Sequence, residues 1–237
     1  MEFRTYLTAD IHDVDHNGIV RMSSLMKYIQ SAAQTQLTLN GMSYDELKKM
    51  KRAFILSRIK IEFTESVRAY DKLTAVTYPC ESRGYSFLRC YALEKDGRTI
   101  GRAVSIWALI DTETRALVKV NDFDLRLTTH EPHTLALSRF TMPATAVEVG
   151  TYTVNYGDTD QNHHMNNTRY PDMYSNFLPL DGMRIKTISI NYQNEAPRGE
   201  KLRVQRVDGI DGRTYYFRTL REDGKINTEA EIELEEI

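Results

Sequence analysis

An α+β fold made from two copies of one unit is what this sequence predicts, each copy being a strand, a helix and a four-stranded antiparallel meander. Two apolar patterns carry the expectation. Short segments alternate with a period of two, as half-buried strands do, and two segments recur at i, i+3 and i+4, as amphipathic helices do. The third observation is that the order repeats and its pieces match. Ile59-Lys-Ile61-Glu-Phe63 finds its counterpart in Ile188-Ser-Ile190-Asn-Tyr192, and Asp71-Lys-Leu73 in Glu200-Lys-Leu202 at the same offset. The turn at Asp96-Gly97 is answered by Asp223-Gly224.

In the first copy, Phe3 to Thr8 alternates like a strand, and a polar stretch runs on to Met22. Ser23 or Ser24 is suited to cap the helix that follows, whose apolar face is Leu25, Tyr28, Ile29, Ala32 and Ala33. A short second helix over 42–50, capped by Ser43, has no counterpart in the other copy. Strands are expected at 53–64, 72–80, 85–95 and 99–111, with Lys95-Asp-Gly97 as the last turn. The second copy begins with a strand at 147–156. A helix follows with Tyr170, Met173, Tyr174 and Phe177 on one face and Pro171 tolerated in its first turn. Asn167 or Thr168 is placed to cap it. Strands are expected at 184–193, 201–207, 213–221 and 225–234.

Between the copies, 126–145 reads as a linker holding Pro132 and Pro143 with little periodicity, which leaves units at 1–125 and 146–237. A curved antiparallel sheet wrapped around an apolar helix is the hotdog architecture, and two copies in one chain make a double hotdog. The two sheets are expected to join edge to edge, which would cover strand edges prone to aggregation.

The 237 residues are 41% hydrophobic and 27% charged, with a net charge of −2. That balance is ordinary for a globular protein and gives no electrostatic argument for a nucleic-acid partner. No apolar run approaches the roughly 18 residues of a membrane span. The start, Met-Glu-Phe-Arg, leads directly into alternating residues, so no signal or transit peptide is expected. Cys80 and Cys90 are not placed opposite each other by the expected hairpin. Buried free thiols in a reducing cytoplasm are expected instead.

The chemistry is concentrated in Asp158-Thr-Asp160-Gln-Asn162-His-His164-Met-Asn166-Asn167, just ahead of the second helix. The first copy keeps the frame as Asp13-Val-Asp15-His-Asn17-Gly-Ile19, with Ile19 where His164 stands. That first stretch opens like an EF-hand loop, but Ser24 occupies the twelfth position, where a bidentate Glu is needed. A strand also precedes it rather than a helix, so no metal is assigned, and His12 and His16 read as loop histidines.

In the second copy His164 exchanges a proton near neutral pH most readily. Asn162 both donates and accepts hydrogen bonds. The helix start offers free amides for a developing oxyanion. Glu195 takes the place of Ser66 in the repeat, so this acid is present only where the histidine is. It is a candidate general base or histidine partner.

These segments resemble the acyl-acyl carrier protein thioesterases over nearly the whole length. Asp158 to Tyr170 resembles the family's D-x-D-x-N-x-H-V-N-N-x-x-Y motif, and Phe3-Arg-Thr-Tyr6 with Ser24-Leu-Met-Lys-Tyr-Ile-Gln30 resembles its N-terminal half. Ser105-Ile-Trp107-Ala-Leu-Ile-Asp111-Thr-Glu-Thr-Arg115 resembles the strand and turn closing its first hotdog. The resemblance implies catalytic roles for Asp160, Asn162, His164 and Glu195, no cofactor, and an acyl carrier protein bearing a fatty acyl chain as partner. Plant members carry Cys directly after the Glu; here the residue is Ala196, which fits attack by water rather than by a cysteine.

The expected scheme places the acyl chain in an apolar tunnel lined largely by the first unit. Docking cations for the acidic carrier are expected among Lys48, Lys49, Lys51, Arg52, Arg198 and Lys201. An acyl-CoA thioesterase of the same fold and a non-catalytic acyl-binding module are the competing readings. The duplication supplies the hotdog pair internally and leaves the oligomeric state open, a homodimer included.

Overall fold

The computed structural model describes residues 2–137 and 140–237. Its N-terminal half contains β1 (Phe3–Thr8), α1 (Met22–Leu39), α2 (Tyr44–Lys49), β2 (Arg52–Phe63), β3 (Lys72–Pro79), β4 (Phe87–Lys95), β5 (Arg98–Asp111) and the two-residue β6 (Leu117–Val118). The C-terminal half contains β7 (Val147–Thr153), α3 (Tyr170–Ser175), β8 (Met183–Tyr192), β9 (Lys201–Asp208), β10 (Thr214–Leu220) and β11 (Ile226–Glu236).

These strands form one sheet in the order β1-β3-β4-β5-β2-β8-β11-β10-β9-β7, with β6 added to β5. The second five repeat the first five in reverse about the β2–β8 junction, as two copies related by a twofold axis must. The register at the junction shows the axis directly. Ile59 pairs with Ile190, Ile61 with Ile188, and Lys60 lies opposite Ser189. Ile59 and Ile188 are equivalent in the repeat, so each equivalent pairs with the other's neighbour. All four isoleucines are fully buried, and one continuous core joins both halves with α1 and α3 inside it. The fold is a double hotdog joined edge to edge.

The helices depart from expectation in detail. α1 buries Leu25, Met26, Ile29, Ala32 and Ala33, but it begins at Met22 without a side-chain cap. Ser24 lies inside the helix and donates its hydroxyl to Asp13 Oδ1 at 2.8 Å. In α2, Ser43 caps as expected, accepting from the Glu46 amide. α3 has only six residues after a 3-10 turn at Asn167–Arg169; Asn166 caps that turn, and α3 itself begins without a side-chain cap, so neither Asn167 nor Thr168 caps it. Pro171 lies near its start, and Pro179 follows soon after its end; a proline can neither donate within a helix nor continue it.

The described residues of 126–145 form no strand or helix yet are tied down. His133 Nε2 bonds the carbonyls of Tyr91 and Ala103 at 3.2 and 2.9 Å. Leu135 and Leu137 pack on Tyr78, Cys80, Cys90 and Val104. Cys90 pairs with Tyr78 across the hairpin, and both thiols are buried.

Truncation at the junction tests how far the halves depend on one another. Ile61→Ala and Ile188→Ala are each expected to cost about 2–5 kcal/mol in urea unfolding. Because the two residues face each other, the double variant should fall measurably short of the sum.

Candidate active site

Each half carries the same loop, folded the same way. In the C-terminal copy the Asn162 amide donates to Asp160 Oδ1 at 2.8 Å and the Asp160 amide to the His164 carbonyl at 3.0 Å. In the N-terminal copy the Asn17 amide donates to Asp15 Oδ1 at 2.9 Å and the Asp15 amide to the Ile19 carbonyl at 2.8 Å. Bridges between Val14 and Val20 and between Thr159 and Met165 close the two loops alike. The turn needs a left-handed residue, which is Gly18 at φ +72° in one copy and His163 at φ +65° in the other. Asp160 therefore serves the loop: its carboxylate holds its own turn, as Asp15 does where no histidine is present.

The copies diverge in what their side chains face. Asn17 Nδ2 donates to the carbonyls of Leu180 and Met183, and its Oδ1 accepts the Gly182 amide, so it clasps the two halves together. Asn162 makes a single side-chain bond among the described residues, accepting from the Tyr44 hydroxyl at 3.2 Å. With Oδ1 so engaged, Nδ2 is left as a donor.

His164 and Glu195 are brought into contact, Nε2 to Oε2 at 3.3 Å, with side chains 33% and 39% exposed, so water reaches the pair. The two segments carrying them run antiparallel: the Met165 amide donates to the Ala196 carbonyl at 2.8 Å, and His164 bridges Pro197. Glu195 Oε1 accepts from Arg115 Nη2 at 3.1 Å, which leaves Oε2 to the histidine.

Asp160 and Asn162 line a cavity of about 500 Å³ with walls from α1, α2, β2, β4, Trp107 and the loop before α3. This falls within the range of small-molecule sites, about 300–1,000 Å³. His164 and Glu195 are not part of its wall. Phe54, Phe87 and Leu125 give it apolar surface, and Phe54 meets Phe87 edge to face at 5.3 Å. The Trp107 indole donates to Ser105 Oγ at 2.8 Å, so its polar edge is satisfied.

The start of α3 offers fewer free amides than expected. Asn166 accepts the Thr168 amide on Oδ1 and the Arg169 amide on its carbonyl, and Pro171 has none to give. Beneath this end lies a buried polar network. Asn227 Nδ2 donates to the Tyr170 hydroxyl at 3.0 Å and to the Asn194 carbonyl, while the Asn194 amide returns to the Asn227 carbonyl. Burial raises the pKa of the Tyr170 phenol, so it stays neutral in this network. Asn227 thus anchors both the helix start and the backbone next to Glu195.

Three contributors were invisible to sequence reasoning. Arg115 stands in a turn with φ +62° and Tyr44 belongs to the helix found only in the first copy. Asn227 shows only as a polar residue in an apolar strand. The expected docking cations are mostly engaged: Lys49 pairs with Glu46, Lys51 with Glu113 and Arg52 with Asp111, while Arg198 covers the Tyr156 ring. Asn227→Leu should destabilise the protein by about 1–3 kcal/mol in urea unfolding, because the Thr219 hydroxyl, which donates to Asn227 Oδ1 at 3.0 Å, and the Asn194 carbonyl each lose a partner.

Comparison with known proteins shows the family and the fold. Residues 1–125 match the acyl-ACP thioesterase N-terminal domain and residues 142–236 the C-terminal domain. Oleoyl-acyl carrier protein thioesterase 2, chloroplastic, of Arabidopsis thaliana is 24% identical over 215 residues, covering 80% of this chain and 58% of that protein. The corresponding enzyme of Coriandrum sativum is 24% identical over 211 residues, 78% of this chain and 56% of its own length. The chain thus spans somewhat more than half the length of the curated relatives it matches. An acyl-ACP thioesterase structure from Bacteroides thetaiotaomicron superposes with a TM-score of 0.90 at 22% identity, over 99% of this chain and 98% of the other. The 12:0-ACP thioesterase of Umbellularia californica gives 0.86 at 17% identity, over 100% and 98%. Matched by the family in both halves, the chain belongs to the acyl-ACP thioesterase family.

Proposed function

We propose that this protein hydrolyses the thioester of fatty acyl-acyl carrier protein, releasing free fatty acid and so ending chain elongation. The observation that carries the reading is the His164–Glu195 contact at 3.3 Å. It is built on a loop whose twin has Ile19 and Ser66 at the corresponding places.

In the proposed reaction a water molecule is the nucleophile, and Glu195 and His164 together take its proton. Arg115 orients Glu195. The water oxygen adds to the thioester carbonyl carbon, and Asn162 Nδ2 stabilises the oxygen that gains charge. Asn162 takes this part because Asn166 already occupies the Thr168 and Arg169 amides. Collapse breaks the C–S bond, and the proton held by the pair passes to the departing thiolate, giving carboxylic acid and carrier thiol. Ala196 supplies no side-chain nucleophile next to Glu195. We assign the acyl cavity mainly to residues 1–125 and the chemistry to 146–237, joined by 126–145. The two buried free thiols, Cys80 and Cys90, support a reducing, cytoplasmic setting.

Glu195→Ala and His164→Ala should each lower kcat/KM for acyl carrier thioester hydrolysis by about 10²–10⁴-fold. The double variant should be little worse than the poorer single one, as expected of residues acting as a unit. Near-normal turnover by Glu195→Ala would sink the scheme. Parallel assays on acyl-CoA distinguish a CoA-preferring enzyme, and absence of hydrolysis with both thioesters would indicate an acyl-binding module. Arg115→Met should cost about two- to fivefold, the loss expected when an ion pair open to solvent is removed. Arg115→Lys should recover part of that loss, while both variants melt like the parent.

A further inference from the structure

The cavity contains a charge that an all-hydrocarbon ligand would leave uncompensated. Phe87, Arg89 and Tyr91 alternate along β4 and all line the cavity, and Arg89 is only 7% exposed. An inward position between two aromatic residues calls for an apolar side chain, yet a guanidinium occupies it. Its side-chain hydrogen bonds among the described residues both come from Nη1, to Gln36 Oε1 at 2.7 Å and Thr77 Oγ1 at 3.0 Å. Both acceptors are neutral. Burial lowers the Arg89 pKa, with no carboxylate among the causes that oppose it. Helix α1 adds a second unmet donor, since Gln30 lines the same cavity and its Nε2 is buried without a partner. Lys27, Ser31 and Gln34 from α1 also line the cavity, so this wall is polar where a tunnel for plain fatty chains would be apolar.

A buried donor without an acceptor is costly, and a guanidinium has five N–H groups to satisfy. We propose that the acyl chain taken by this cavity carries a hydrogen-bond-accepting oxygen of its own, a hydroxyl or carboxylate remote from the thioester, and that Arg89 with Gln30 recognises it. This rests on the thioesterase reading for the identity of the cavity and adds the class of chain. Arg89 is then a specificity residue and has no part in bond breaking.

The test uses the full chain and three carrier-bound acyl chains of equal length, ending in methyl, hydroxyl or carboxylate. The wild type should favour one oxygenated chain over the methyl chain by about 10–100-fold in kcat/KM, the range for a hydrogen bond to a charged group. Which of the two leads identifies the oxygen. Arg89→Met should abolish that preference by lowering the oxygenated rate far more than the methyl rate, and Gln30→Leu should act the same way more weakly. Calorimetric binding of the three free acids to the wild type gives the same ranking without relying on turnover or on a variant's folding. Equal binding of all three, or tighter binding of the methyl acid, overturns the proposal. So does an Arg89→Met enzyme that only accepts longer methyl chains, which would make Arg89 a length stop. Selective binding of an oxygenated acid without hydrolysis of any thioester would overturn the enzymatic reading and leave this one standing.

Discussion

The pairing of β2 with β8 is the constraint on which the rest of the molecule depends. It merges two five-stranded units into one sheet and buries Ile59, Ile61, Ile188 and Ile190 on the pseudo-twofold axis. It also removes two edges that would otherwise expose unpaired backbone. A one-residue slip there would turn every isoleucine to the opposite face, so the core that joins the halves fixes the register. Only with that register held do parts of the N-terminal half meet the loop before α3. Tyr44 reaches Asn162 and Arg115 reaches Glu195 because the sheet is continuous. Neither bond is possible in an isolated C-terminal unit.

Duplication also lets one loop serve two purposes. The N-terminal loop is structural throughout. Asp13 accepts from Ser24 and from Tyr28, at 2.8 and 2.6 Å, pinning α1, while Asn17 clasps the chain at Leu180 and Met183. Its C-terminal twin keeps the backbone bonds that shape the turn but frees the asparagine side chain, and it exchanges Ile19 for His164. Because the polar frame is repeated where no histidine stands, Asp160 is explained by folding. His164 and Glu195 are not, since the other copy does without both and has Ile19 and Ser66 in their places.

The repeat, the expected strands and the two-unit fold were legible in the sequence because strand alternation and turn residues are local signals. Ile188-Ser-Ile190 can be matched to Ile59-Lys-Ile61 by reading alone. His164 and Glu195 were legible too, as differences between aligned copies. The helix boundaries were not. α3 has no side-chain cap of its own, Asn166 capping the 3-10 turn ahead of it, and α1 starts ahead of both serines, because tertiary bonds such as Ser24 to Asp13 compete with local capping. Arg115, Tyr44, Asn227 and Arg89 carried no local signal at all, since their significance lies in partners 8 to 118 residues away.

The sequence by itself therefore determined that one unit occurs twice, which elements each unit contains, and which copy holds the acid and the histidine. Only the tertiary structure decided that Glu195 and His164 touch, that Arg115 reaches Glu195 and that Tyr44 reaches Asn162 from the other half. It alone put on the cavity wall a buried guanidinium whose partners among the described residues are both neutral. The physical reason is range. Periodicity and capping act within a few residues, whereas side-chain bonds across a continuous sheet exist only once the register between β2 and β8 is set.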